Sequence, residues 1–194
     1  MTEVDLRAQR SFIGAWLMPD PDVCDDLIAY FTADRGKVLG QVGAGDVDQS
    51  IKDSTDLHIP PDRFADPPVR RYLEGLRAVC QRYVEKFRGA ATVDDWGLRE
   101  NINIQYYAPG GGYKAWHCER WGMSMPSVSR HLVFMTYLND VSDAGGTEFL
   151  YQEVVVQPRK GLTLIWPSDW THYHRGVVSP TEAKYIITGW FSFA

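Results

Sequence analysis

Two periodicities divide the chain. Before residue 100 the apolar positions recur every three or four residues, as on one face of a helix; from Ile102 onward they alternate in short runs, as in strands. Ser11 to Met18 is apolar and β-prone and predicts a first strand. Pro19, Asp20 and Pro21 break it, with Asp20 placed to cap a helix whose first position is Pro21. Val23, Leu27, Ile28, Tyr30 and Phe31 give that helix its buried stripe, and Gly36 ends the run. Asp66, Pro67 and Pro68 open the strongest helix. Val69, Tyr72, Leu73, Leu76, Val79, Cys80, Tyr83, Val84 and Phe87 line one side, and Arg70, Arg71, Arg77, Arg82 and Lys86 the other. Such a helix has to lie on a flat apolar surface, so its stripe reads as core.

Between these helices, Gly36 to Leu57 is rich in Gly, Asp and Ser. It reads as a hairpin with a loop around Gly43 to Asp46, either a solvated surface loop or a lid over a substrate. The second half predicts eight strands: Ile102 to Tyr107, Tyr113 to Glu119, Ser129 to Leu138, Thr147 to Leu150, Val154 to Gln157, Leu162 to Trp166, His172 to Val178 and Lys184 to Phe193. Turn residues separate them at Pro109 to Gly112, Asn139 and Asp140, Ala144 to Gly146, and Pro167 to Asp169. Eight short strands at this spacing suit a jelly roll, that is, a double-stranded β-helix. The expected class is α+β, with N-terminal helices packed on a jelly-roll core. The expected organisation is one domain over 1–194, with 1–100 as helical support and lid and 101–194 as the core.

Composition narrows the function classes. The chain has 194 residues, 44% of them apolar and 13% aromatic, which is ample for one globular core. A net charge of −5 argues against nucleic acid and anionic membrane as partners. No apolar run reaches the length of a bilayer, and Met1 to Arg7 lacks the charged-then-apolar order of a signal peptide. Cys24, Cys80 and Cys118 are odd in number and far apart, so they read as free thiols of a reducing, cytoplasmic setting.

The candidate chemistry lies in two stretches, Tyr113 to Glu119 and His172 to Lys184. On a strand, residues two apart share a face, so His117 and Glu119 would look one way and Cys118 the other. A distant histidine would complete a two-His-one-carboxylate set, which leaves open positions on Fe(II). His172 and His174 would share a face, so either could be the third ligand. His131, followed by Leu, Val and Phe, reads as a satisfied core histidine, and His58, before two prolines, as loop. Lys184 stands on a strand with Ile, Thr and Trp, where a buried amine is expensive unless it meets an anion.

The order of these elements carries a resemblance. Tyr107, Tyr113, His117 and Glu119 are followed by Arg130, Tyr137 to Asn139, Gly145 to Phe149, Pro158, Gly161 and Trp166. His174, Lys184, Gly189 and Trp190 complete the set. Together they resemble the catalytic domain of the prolyl 4-hydroxylase-like Fe(II)/2-oxoglutarate dioxygenases, over roughly the last half of the chain. The resemblance implies His117, Glu119 and His174 as iron ligands; the ten-residue spacing to Lys184 favours His174 over His172. It implies Lys184 as the cation for the far carboxylate of 2-oxoglutarate, with Tyr107, Tyr137 and Thr188 around that cosubstrate. It implies O2 as oxidant, ascorbate as reductant, and hydroxylation coupled to release of succinate and CO2. Most members have Asp where this chain has Glu119, so an extra methylene must fold for the oxygen to reach the metal. A carboxylate there argues against the halogenating members, in which a small residue leaves room for chloride.

For the substrate, Arg120 to Ser127 should sit at the mouth, with Trp116, Arg120, Trp121 and Trp190 as candidate contacts. An aromatic groove suits an extended prolyl peptide, the expected substrate, or a small molecule such as a free amino acid. The rival class is a non-catalytic jelly-roll module that merely holds a metal.

Overall fold

The structure is a computed structural model that describes residues 11–43, 45–122 and 124–194. Met1 to Arg7, read above for a leader, and Ala44 and Met123 of the two loops lie outside the described residues. The first half contains β1 (Gly14–Leu17), α1 (Val23–Ala33), β2 (Val38–Leu39), β3 (Lys52–Asp53), β4 (Thr55–Ile59), α2 (Pro67–Lys86) and β5 (Trp96–Leu98). Then follow β6 (Ile102–Tyr107), β7 (Gly112–Tyr113), β8 (Arg130–Tyr137), β9 (Thr147–Phe149) and β10 (Val154–Val156). The last three strands are β11 (Leu162–Pro167), β12 (His174–Gly176) and β13 (Lys184–Phe193).

Eight strands form one antiparallel sheet in the order β1-β11-β8-β13-β6-β4-β2, with β5 also paired to β13. A second sheet, β10-β9-β12, and the short pair β3-β7 complete the architecture. The large sheet therefore takes β1, β2, β4 and β5 from the first hundred residues. Strand alternation divides its side chains between two cores. Leu132 and Phe134 of β8, Ile165 of β11, Ile102 and Ile104 of β6 and Ile187 of β13 join α1 and α2. Val133, Met135 and Tyr137 of β8 and Leu164 and Trp166 of β11 point the other way, against Phe149 and Val156 of the small sheet. Each fully buried Leu, Ile or Val in these cores stabilises the fold by about 1.5–3 kcal/mol.

The α2 stripe is borne out: Val69, Tyr72, Leu76, Val79 and Tyr83 are buried against the sheet, and Asp66 is the N-cap residue before Pro67. The first helix begins later than its prolines suggest, at Val23. Asp20 does not cap it; its carboxylate takes a bond of 2.6 Å from Arg71 of α2. Two further expectations are corrected. Tyr113 to Glu119 is not one strand, because its backbone bonds go to different partners: Lys114 to Ile51, His117 to His174, and Glu119 to Ser168. His58 is not in a loop but in β4, where Pro60 ends the strand after it.

Candidate functional site

His174 opens β12, which pairs with β9 through Phe149. The link that leaves β7 turns back onto this strand: the His117 N–H donates to the His174 carbonyl at 3.0 Å, and the reverse bond is 2.9 Å. The two imidazoles are thereby held side by side, ring centres 4.3 Å apart. The Nδ1 of His117 lies 3.0 Å from the Ala115 carbonyl, and that of His174 lies 2.9 Å from the His172 carbonyl. Each Nδ1–H is thus spent on a backbone acceptor, leaving the Nε2 lone pairs free. Both Nε2 atoms face Oε1 of Glu119, at 3.4 Å and 3.5 Å.

A relay behind Glu119 sets its rotamer. The Trp190 indole N–H donates to Oε2 at 3.0 Å. Arg130 stacks on the Trp190 ring at 3.5 Å, donates to the Glu119 carbonyl at 3.0 Å, and is anchored by Glu100 at 2.7 Å. The glutamate's extra methylene is therefore accommodated: one oxygen faces the histidines and the other is tied to the indole. Burial opposes ionisation of Glu119, but hydrogen bonds and charge from the two imidazoles, in their protonated form, hold its carboxyl well below the usual range. Burial, and then the neighbouring His117, lower the pKa of His174.

Among the described residues, His117, Glu119 and His174 form the one cluster of His, Cys, Asp or Glu whose donor atoms lie within 4.8 Å of one another. Two unprotonated imidazole nitrogens and one carboxylate oxygen on a single face fit a divalent metal with further positions open.

The cluster borders a cavity of about 620 Å³. Gln41, Gly43 and Trp121 line it from the loops, and Trp121 is 56% exposed. The large sheet supplies the opposite wall in successive rows set by strand register. Lys184 pairs with Tyr107, Ile186 with Gln105 and Asp56, and Thr188 with Asn103 and His58. Lys184 is only 5% exposed, and its amine donates to the Gly145 carbonyl at 2.7 Å. Burial pushes its pKa down to about 8. Lys52 and Asp56, also buried, neutralise each other at 2.6 Å.

Of the residues singled out in the sequence, His117, Glu119, His174, Lys184, Tyr107, Thr188, Trp121 and Trp190 all line this cavity. Three others do not. Tyr137 is wholly buried, its hydroxyl bonded to Thr147 at 2.6 Å and to the Val156 carbonyl at 3.1 Å. Arg120 forks onto Asp169 at 2.5 and 2.6 Å. Trp116 lies under the Arg175 guanidinium at 4.5 Å. His172 belongs to a short 3₁₀ turn rather than a strand, and its Nε2 meets the Ser11 carbonyl at 2.7 Å. His131 is satisfied by the Ala90 carbonyl at 2.9 Å. Sequence reasoning passed over the roles of Arg130, Glu100, Asn103, Gln105, Asp56 and His58. The alternation of polar residues in Asp56–His58 and Asn103–Gln105 was the available signal, since a strand with one wet face shows this period.

The model of the 2OG-Fe(II) oxygenase superfamily matches residues 102–192. Those residues are a 2OG-Fe(II) oxygenase domain. The domain contains His117, Glu119, His174 and Lys184, whereas Asp56, His58 and the Gln41 loop reach the cavity from outside it. Among curated proteins none matches this chain in sequence. Solved structures do match it in fold. The viral collagen prolyl hydroxylase of Paramecium Bursaria Chlorella virus-1, in its 2OG complex, superposes with a TM-score of 0.70 at 15% identity, covering 94% of this chain and 97% of that one. A prolyl-4-hydroxylase of Pseudomonas putida gives 0.69 at 20% identity, covering 93% and 92%. A prolyl hydroxylase of Trichoplax adhaerens, in complex with a hypoxia inducible factor oxygen degradation domain peptide fragment, gives 0.71 at 14% identity, covering 96% and 86%.

Proposed function

We propose that the chain is an Fe(II)- and 2-oxoglutarate-dependent hydroxylase of prolyl residues in a peptide or protein, built on a double-stranded β-helix. The observation that carries this reading is the convergence of both free Nε2 atoms on one Glu119 oxygen beside a cavity with a buried lysine. His117, Glu119 and His174 would hold the iron. Bound there, Fe(II) would supply the activation of O2, with one oxygen atom entering succinate as 2-oxoglutarate loses CO2 and the other entering a C–H bond as a hydroxyl.

The protein's own share is placement. Lys184 offers a cation for the far carboxylate of the cosubstrate, with the Tyr107 ring 5.1 Å from its amine. Thr188 lines the cavity, and its hydroxyl donates to the Phe134 carbonyl at 2.8 Å. Glu100, Arg130 and Trp190 hold Glu119 in place, a supporting layer of the kind that sets ligand orientation at metal sites.

The prolyl assignment draws on the fold shared with three prolyl hydroxylases, one of them holding a peptide. It also draws on the mouth, where exposed Trp121 and the loop at Gln41 and Gly43 line the same cavity. An extended prolyl segment loses little conformational entropy on binding such a groove. The test is mass spectrometry of prolyl peptide libraries, and in parallel of free proline and lysine, incubated with the iron-loaded enzyme, 2-oxoglutarate and ascorbate. Gain of one oxygen on peptidyl proline is expected. Oxygen gained only on a free amino acid, with no peptide modified, would refute the prolyl reading.

A further inference from the structure

On the sheet wall of the cavity, Asn103 and Gln105 stand two residues apart on β6 and share a face. Both are buried, at 6% and 8% exposure. Each carboxamide oxygen already has a protein donor. The Tyr107 hydroxyl donates to Gln105 Oε1 at 2.6 Å, and Nδ1 of His58 meets Asn103 Oδ1. Asp56, the acid nearest Gln105 in register, is spent on Lys52 at 2.6 Å and on the Ser54 hydroxyl at 2.7 Å. Among the described residues, neither NH2 group has a protein partner. Two amino groups that open onto the cavity, four N–H donors in all, are left for whatever fills it. A substrate that displaces water from these donors must offer them acceptors, so the pair is a built site for acceptor oxygens.

We propose that Asn103 and Gln105 form a donor-only subsite for backbone carbonyl oxygens of the substrate peptide, and so help to select prolyl segments. The proposal rests on the prolyl reading above and deepens it. Proline has no N–H, so a segment centred on it offers its carbonyls as its main-chain handle. A wall that recognises it should therefore donate and not accept. His58 and Tyr107 favour this by engaging each amide oxygen, which would otherwise be open to an ordinary peptide N–H.

The experiment compares wild type with Asn103→Asp, Gln105→Glu, Asn103→Leu and Gln105→Met. The first two keep an oxygen for His58 and Tyr107 while turning the free donor into an acceptor; the last two remove the amide. Thermal melting checks that each is folded. Steady-state kinetics are run on a prolyl peptide that the wild type modifies, and on an analogue in which CH2 replaces the carbonyl before the target proline. Loss of one such hydrogen bond is expected to raise the peptide KM about 3- to 10-fold in each variant, with the KM for 2-oxoglutarate unchanged. The methylene analogue should lose a similar factor with wild type and little more with the variant whose amide meets that carbonyl. An unchanged peptide KM in all four folded variants overturns the proposal, as does a rise confined to the KM for 2-oxoglutarate. If the wild type hydroxylates free proline and no peptide, the substrate reading itself fails, and the carbonyl assignment with it.

Discussion

Removing the Lys184 charge should separate cosubstrate binding from metal binding, and the size of the effect follows from its burial. The ammonium has three donors, one of which meets the Gly145 carbonyl as its hydrogen-bond partner among the described residues, and burial lowers its pKa from 10.5 to about 8. That fall corresponds to about 3 kcal/mol, the cost of keeping the amine charged in this pocket. Removing one partner of a buried charge pair costs about 3–5 kcal/mol, so Lys184→Met should weaken 2-oxoglutarate binding at neutral pH by about two to four orders of magnitude. Below pH 8 the free amine is already protonated and the wild-type Kd should be flat. Above pH 8 binding has to take up a proton, so the Kd should rise up to tenfold per pH unit, about the limit for one linked proton.

Stability shows the opposite sign. Folding lowers this lysine's pKa, so between about 8 and 10.5 the unfolded chain holds the extra proton and stability rises with pH. Below pH 8 the wild type bears the full cost and Lys184→Met should be the more stable protein, an advantage that shrinks toward pH 10. Anaerobic calorimetry with the iron-loaded protein from pH 6.5 to 9.5, in buffers of different ionisation enthalpy, reads both the Kd and the protons taken up. A pH-independent Kd that Lys184→Met leaves unchanged would refute the assignment of Lys184 to the cosubstrate.

Other consequences are as direct. His117→Ala, Glu119→Ala and His174→Ala should each abolish Fe(II) binding in a metal titration. His172→Ala should retain it and lose only about 1–3 kcal/mol of stability from the orphaned Ser11 carbonyl; retention of iron by His174→Ala with its loss in His172→Ala would reverse the assignment. Trp190→Phe removes the donor to Glu119 Oε2 and should weaken metal affinity about 10- to 100-fold. An unchanged titration there would mean that Arg130 alone positions the carboxylate. At Gly189 an added Cβ would lie 2.6 Å from Phe134 Cζ and 3.0 Å from Ile102 Cγ2, so Gly189→Ala should lower stability by about 1–3 kcal/mol, read as a fall in Tm.

The parts of the fold legible in the sequence are those where one periodicity runs unbroken. α2 shows a long 3.6-residue stripe, and β6, β8 and β13 alternate between two buried or half-buried faces. The cluster of His117, Glu119 and His174 was legible for a different reason than a strand. His117 and Glu119 do converge, but through separate anchors on His174 and Ser168, which no local pattern announces. The 3₁₀ turn at Trp170–His172 was hidden because its residues look like the start of a strand. The wall of Asp56, His58, Asn103 and Gln105 was hidden because polar residues in a strand ordinarily mean solvent, whereas here they face a cavity. Arg120 and Tyr137 show the converse: sequence order alone cannot reveal that a nearby Asp169 or Thr147 already occupies the group.

The most direct test of the central claim is a single turnover under isotopically heavy O2, with iron-loaded protein, 2-oxoglutarate and a prolyl peptide. The account predicts one heavy oxygen atom in succinate and one in the hydroxyl on proline, formed in equal amounts, and neither with Glu119→Ala. Unlabelled peptide and no succinate from the folded, iron-loaded wild type, across prolyl peptides and free amino acids alike, would contradict it.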